Sequence, residues 1–208
     1  MKKYIITGLL ALSIVVAGST LLNSQTAKIK AFNESVQYEQ NKNYKQALSS
    51  IEKIYSDNAK DYFVNLRMGW LHYNLLNYDK SEKYYRLAAE INSKSVEAMI
   101  GLTYPLAAKE QWKEVEALYQ KILKIDGMNY TANLRLGQMY LYRADYTGAK
   151  KYLERIYYVY QSDYELNLYF GWVMYYLGDK NNAREMFTRV LMQNSKDASA
   201  NEGYNLVK

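Results

Sequence analysis

The amino-acid sequence predicts an all-α solenoid, a row of antiparallel helix pairs stacked side by side. Three observations predict it. The first is a step of 34 residues that holds without insertion through five copies, 28–61, 62–95, 96–129, 130–163 and 164–197. Small residues recur at Ser35, Gly69, Thr103, Gly137 and Gly171, and large apolar groups at Ile51, Tyr85, Tyr119, Leu153 and Phe187. Small or β-branched residues recur at Ala47, Ser81, Val115, Ala149 and Ala183; an aromatic recurs at Tyr44, Tyr78, Trp112 and Tyr146 and lapses at Lys180. The second observation is the helical period inside one copy. Leu134, Leu136, Tyr140 and Leu141 mark a first helix over about 131–143; Ala149, Leu153 and Ile156 mark a second over about 146–160, after a break at Ala144-Asp145. Neither helix buries its apolar face within one pair, so each pair needs a neighbour built like itself. The third is that Asp61, Ser95, Asn129, Asp163 and Asp197 close the five copies. Each accepts hydrogen bonds from the free N–H groups that open the next helix.

Repeat one, 28–61, is the most polar, with Glu34, Glu39 and Gln40 in its first helix, as suits an end repeat facing water. Asn43 stands where it caps the second helix, and Asn77 repeats that cap in repeat two. Repeat two, 62–95, is aromatic: Tyr62, Phe63, Trp70, Tyr73, Tyr78, Tyr84 and Tyr85. Repeat three, 96–129, holds the only proline, Pro105, in the middle of its first helix. Proline withholds a backbone donor there and crowds the carbonyl of Gly101, four residues back. Two outcomes are open, a kinked but continuous helix or a helix broken near Tyr104. Repeat five, 164–197, ends the array, and 198–208 reads as a short helix capping its apolar flank.

These residues resemble the tetratricopeptide repeat family. Its first-helix pair of a large residue and a small one is matched by Met68-Gly69, Leu136-Gly137 and Phe170-Gly171. The tyrosine that follows is matched by Tyr38 and Tyr140, and the alanine early in the second helix by Ala47, Ala149 and Ala183. Two features depart from the family. Its frequent proline after the second helix is replaced by Ala59, Ser93, Gly127, Gln161 and Ser195. Its early tryptophan is replaced by Ala31, Asn65, Met99, Asn133 and Asn167. The resemblance spans about Lys28 to Asp197. It implies five hairpins in a right-handed superhelical arc whose first helices line a concave groove for a protein or peptide partner, with no catalysis and no cofactor.

By register, the groove is lined by Phe32, Leu66, Trp70, Tyr73, Asn74, Tyr104, Ala107, Ala108, Gln138, Leu141, Tyr142, Trp172, Tyr175 and Tyr176, with Arg67 and Arg135 in equivalent places two repeats apart. The clamp of lysines, arginine and asparagines with which some of the family hold a peptide carboxylate is not reproduced at Phe32, Val36 and Arg67. Large aromatics on a concave surface are typical binding anchors. The alternative is that they pack between adjacent first helices. Gly101, Ala107 and Ala108 place the smallest side chains mid-groove, either as a recess whose rim arginines take an acidic group or as a close helix contact.

The first 26 residues differ in kind. Lys2 and Lys3 precede an uncharged run whose apolar centre is Ile5 to Ala17, followed by small residues at Ala17-Gly18-Ser19. The pattern is that of a secretory signal peptide; the other reading is an uncleaved membrane anchor over residues 4–22. Either places the repeats outside the cytoplasm, in the periplasm or cell envelope.

The remaining composition excludes more than it assigns. There is no cysteine and a single histidine, His72, at a position between helices. No nucleophile triad, phosphate loop or metal-ligand pair is present, so neither enzyme nor metal site is expected. Without residues 1–26 the net charge falls from +6 to +4, with Lys45, Lys80, Lys83, Lys121, Lys124, Lys150, Lys151 and Arg155 mostly on second helices. That is a solvated face, and no nucleic acid partner is expected. The function this predicts is an exported scaffold that binds a protein segment. The alternatives are a module for cell-wall saccharide, with Asn74 and Gln138 bonding hydroxyls, and a surface for self-association.

Overall fold

The computed structural model describes residues 24–208. The reading of an export signal or anchor rests on residues 1–23, outside the described residues. Every regular element among the described residues is a helix. α1 covers 24–40, and then follow α2 (Tyr44–Asn58), α3 (Tyr62–Asn74), α4 (Tyr78–Ile91), α5 (Val96–Ala108), α6 (Trp112–Ile125), α7 (Tyr130–Tyr142), α8 (Tyr146–Tyr157), α9 (Tyr164–Tyr176), α10 (Lys180–Gln193) and α11 (Ala198–Leu206). First helices begin at Tyr62, Val96, Tyr130 and Tyr164, and second helices at Tyr44, Tyr78, Trp112, Tyr146 and Lys180, both in steps of 34. The chain divides into two compact units, one ending at Gln111 and the other running Trp112–Lys208. The first holds α1–α5 and the second α6–α11.

The starts of the helices are set by side chains. Asp61, Ser95, Asn129, Asp163 and Asp197 each accept a hydrogen bond from the backbone N–H three residues on, at Val64, Ala98, Ala132, Leu166 and Ala200. Asn43, Asp145 and Asp179 do the same for α2, α8 and α10. Asn77 is the exception: it stands at the N-cap of α4, but its side chain makes no capping bond. α8 stops at Tyr157, three residues before the predicted end, because the N–H groups of Val159 and Tyr160 both turn back onto the Ile156 carbonyl at 3.1 and 3.0 Å.

The turn inside each hairpin is a left-handed residue. Lys42, Leu76, Glu110 and Ala144 have φ of 57–60°, and Gly178 has 86°. They too are 34 residues apart. In every copy the next residue sends its N–H back to the carbonyl five positions earlier, as Asn77 does to His72 at 2.9 Å and Asp179 to Met174 at 2.9 Å. This is the Schellman closure that satisfies the last carbonyls of a helix.

The turn between hairpins is held by the asparagines that replace the family's tryptophan. Asn65 donates through Nδ2 to the carbonyls of Ala59 and Asp61, both at 2.8 Å. Asn133 bonds Gly127 and Asn129, Asn167 bonds Gln161 and Asp163, and Asn201 bonds Ser195 and Asp197 in the same way. The first carbonyl of each pair belongs to a residue that stands where the family carries proline. The two departures are therefore one device: an amide ties down a turn that a proline would otherwise stiffen.

Packing explains the small residues. A Cβ added at Gly69 would lie 2.8 Å from the ring of Tyr85, one at Gly137 2.3 Å from Leu153, and one at Gly171 2.8 Å from Phe187. In these three pairs the large residue of the second helix lies on the glycine of its own first helix. Tyr85 also fills the space beside Gly101 of α5, and Phe187 that beside Gly203 of α11. α5 runs unbroken through Pro105, so the continuous outcome is the one adopted. At its end, Lys109 N–H reaches the Pro105 carbonyl at 3.1 Å and Lys109 Nζ bonds Asp79 and Glu82. α11 covers the last pair: Val207 is fully buried, and its carbonyl accepts from Arg184 Nε at 2.8 Å.

Candidate functional site

In the first unit α1, α3 and α5 enclose a recess of about 700 Å³. Phe32, Leu66, Arg67, Trp70 and Tyr104 all line it, so five of the predicted groove residues meet there. Phe63, Tyr85, Val96 and Glu97, which register did not assign to the groove, line it with Ile100 and Gly101. Phe63 is 66% exposed, an uncovered ring at the mouth. Its only sequence signal is an apolar residue in the first turn of a helix whose buried face lies elsewhere.

The recess opens at the first half of α5, and Ala107 and Ala108 do not line it. Rings close that end: Tyr73 lies 5.5 Å from Tyr104 and 6.2 Å from Trp70, and Trp70 lies 6.5 Å from Tyr104. Gly101 is small because the ring of Tyr85 lies against it, a close contact rather than an opening. Burial raises the Tyr85 hydroxyl pKa far above the ordinary tyrosine value, so Tyr85 serves as an uncharged wall.

Arg67 is not the free rim cation that its position suggests. Its Nη1 is paired with Glu39 of α1, and its Nε donates to Ser35 Oγ at 3.0 Å. Glu39 also accepts from Trp70 Nε1 at 2.5 Å, so one carboxylate fixes both the guanidinium and the indole. The remaining nitrogen, Nη2, is buried with no protein acceptor. Asn74 donates one of its two amide hydrogens to the Trp70 carbonyl within its own helix at 2.9 Å.

The second unit has its own groove, of about 600 Å³, with Leu141, Tyr142, Trp172 and Tyr176 from the predicted set together with Tyr146, Leu168 and Tyr169. Tyr175 packs edge-on against Trp172 behind that lining, at 5.8 Å. Arg135 and Gln138 are again tied down. Arg135 grips Glu165 with both terminal nitrogens, at 2.5 and 3.2 Å, and Gln138 donates to the Tyr169 hydroxyl at 2.5 Å. Burial works against the Arg135 charge, but the Glu165 carboxylate outweighs it and holds the guanidinium above its ordinary pKa.

His72 is buried, 2% exposed, and stacked on Tyr84 at 5.3 Å with 2° between the ring planes. Its Nδ1 has no hydrogen-bond partner. It is a packing residue between α3 and α4 and faces neither groove. Among the described residues no His, Asp and Glu side chains gather into a metal site, and no helix is long and apolar enough to cross a membrane.

The comparisons agree with this geometry. Residues 64–95 match the tetratricopeptide repeat family model. A tetratricopeptide repeat protein from Parabacteroides merdae superposes with a TM-score of 0.73 over 87% of this chain and 72% of its own, at 13% identity. One repeat thus carries the sequence match, and the fold of the described residues is that of tetratricopeptide repeat proteins. MamA from Desulfovibrio magneticus RS-1 superposes at 0.69, with 17% identity over 83% of this chain and 97% of that one. YrrB, described as a tetratricopeptide repeat protein with an unusual peptide-binding site, superposes at 0.67, with 22% identity over 76% and 81%. At these identities the likeness is one of fold. No curated protein matches the chain significantly. Beside each groove an arginine is paired with a carboxylate, Arg67 with Glu39 and Arg135 with Glu165.

Proposed function

We propose that the chain is an exported, non-catalytic scaffold that binds a segment of a partner protein through the recess of its first unit. The observation that carries this reading is the recess itself: a largely apolar hollow of about 700 Å³ with an uncovered phenylalanine at its mouth. Apolar side chains of a ligand fill the hollow against Phe63, Leu66 and Ile100. Trp70 is pre-positioned by Glu39, so little ordering is left to be done on binding. YrrB offers a precedent for peptide binding on this fold. The export assignment rests on the sequence of residues 1–26 alone.

Affinity capture from an envelope extract compares the wild type with Phe63→Ala and Trp70→Ala. Loss of the same captured proteins in both variants supports the reading. Equal recovery of every partner removes the recess from the account. Mass spectrometry of the native protein tests export: a mature N-terminus between Gly18 and Lys28 agrees with cleavage, and an intact Met1 in a soluble cytoplasmic form refutes both the signal and the anchor.

A further inference from the structure

The groove of the second unit has a chemistry of its own. Its aromatic lining forms two groups. Tyr146 and Tyr176 stack at 4.5 Å with 13° between planes, and Tyr176 continues onto Trp172 at 5.9 Å and 28°. Tyr142 meets Tyr169 edge-on at 6.4 Å. No charged side chain is among the lining residues. Trp172 Nε1 is bonded to Ser199 Oγ at 2.8 Å, and the Tyr169 hydroxyl receives Gln138 and donates to Glu165. Among the described residues, the hydroxyls of Tyr146 and Tyr176 bond no other side chain. A ligand therefore meets aromatic rings, two spare hydroxyls and no charge.

We infer that this groove takes an extended, uncharged, proline-containing segment of a partner protein in the polyproline II conformation. The inference rests on the reading of the chain as a binder of protein segments and names the chemistry of one such segment. Charge comes first. A charged ligand side chain would lose its hydration here with no opposite charge in the lining to meet it. Hydrogen-bond accounting comes second. An ordinary peptide brings an N–H at every residue, and the side-chain acceptors of the lining are few, the hydroxyls of its tyrosines and of Ser199. Proline brings no N–H, and its preceding carbonyls accept from tyrosine hydroxyls. Shape comes third, because polyproline II is already ordered in the free ligand and packs its rings into aromatic slots. A saccharide needs a dense set of directional polar partners, and two hydroxyls do not supply one. A second copy of this chain does not supply the segment either, since its one proline, Pro105, is buried inside α5.

The test uses the full chain. A random peptide library displayed on phage is selected against the wild type, Tyr142→Ala, Tyr176→Ala and Trp70→Ala, and a fluorescein-labelled oligoproline is then titrated into each. Tyr142 is 73% exposed, so its loss leaves the core intact. The expected pool is rich in uncharged, proline-containing peptides. Oligoproline binding is expected to saturate, to weaken about tenfold in Tyr142→Ala and Tyr176→Ala, and to be unchanged in Trp70→Ala. A pool without proline, or one that depends only on Trp70, overturns this inference and leaves the protein-segment reading standing. No enriched peptide at all, with or without binding of a soluble oligosaccharide, overturns both.

Discussion

Four of the five hairpin turns place an ordinary L-residue in the left-handed region, and glycine at those sites is expected to stabilise the fold. Ala144 is the cleanest site, with φ of 59° and only a methyl group to lose. The left-handed conformation costs an L-residue about 1–2 kcal/mol. Glycine escapes that cost but gives up about 0.5–1 kcal/mol more chain entropy on folding. The difference leaves Ala144→Gly more stable by roughly 0.5–1 kcal/mol. Gly178→Ala is the mirror experiment. Its φ is 86°, and an added Cβ meets nothing within 4 Å, so the substitution adds backbone strain and no clash. It is expected to cost about the same amount. Both sites lie in the second unit, so urea unfolding of the two variants reads the same structure. The midpoints should move in opposite directions at an unchanged slope, with melting temperatures shifting about 1–4 °C. A destabilised Ala144→Gly together with an unaffected Gly178→Ala would refute the claim that these turns store strain.

Two further substitutions probe the buried polar groups. Asn167→Asp keeps the shape of the side chain but replaces the two donors that hold Gln161 and Asp163 with an acceptor facing those carbonyls. A loss of about 3 kcal/mol or more is expected in the same unfolding assay, and a loss below about 1 kcal/mol would show that the amide staple is dispensable. His72 governs mild acid: burial first, then the charge of Lys80, hold its imidazole below the ordinary value of 6.5. As pH falls below that value the unfolded chain takes up a proton that the folded chain refuses. The stability His72 contributes is therefore present above pH 6.5 and is lost toward its folded pKa, with a slope of at most about 1.4 kcal/mol per pH unit. His72→Phe keeps a ring on Tyr84 and should flatten the curve between pH 6.5 and 5; an unchanged slope would assign the dependence to other groups.

The hairpins were legible because their signals are local. A period of 34, caps such as Asp61 and Asp163, and glycines opposite large residues each act within one or two helices, so sequence distance tracks physical distance. The left-handed turn was legible only in part. Glycine is the usual signal for it, and here it stands at Gly178 alone, while Lys42, Leu76, Glu110 and Ala144 adopt the same backbone because the Schellman closure demands it. Asn65, Asn133 and Asn167 were visible as departures from the family, but their function depends on where two carbonyls point. The unkept cap of Asn77 is a rotamer outcome that residue type does not decide.

The groove was legible by position and illegible by chemistry, and the offset between neighbouring first helices is the reason. Reading by register compares a residue with its equivalent 34 positions away. The bonds that settle the groove join residues separated by less: Trp70 and Glu39 by 31, Arg67 and Ser35 by 32, Arg135 and Glu165 by 30, Gln138 and Tyr169 by 31, and Trp172 and Ser199 by 27. Adjacent first helices meet out of step, so a long side chain reaches past its equivalent to another turn of the neighbour. Arg67 and Arg135 look alike in register yet turn opposite ways, Arg67 to a carboxylate in the preceding repeat and Arg135 to one in the following repeat. Both pairs place their charges beside a groove and cancel them there, which leaves mainly aromatic rings to face a ligand. An affinity that rests on such contacts has little counterion release in it. Binding of an oligoproline to the second unit should therefore change less than about threefold between low salt and physiological salt, whereas a groove that recruited its partner through Arg135 would weaken steeply.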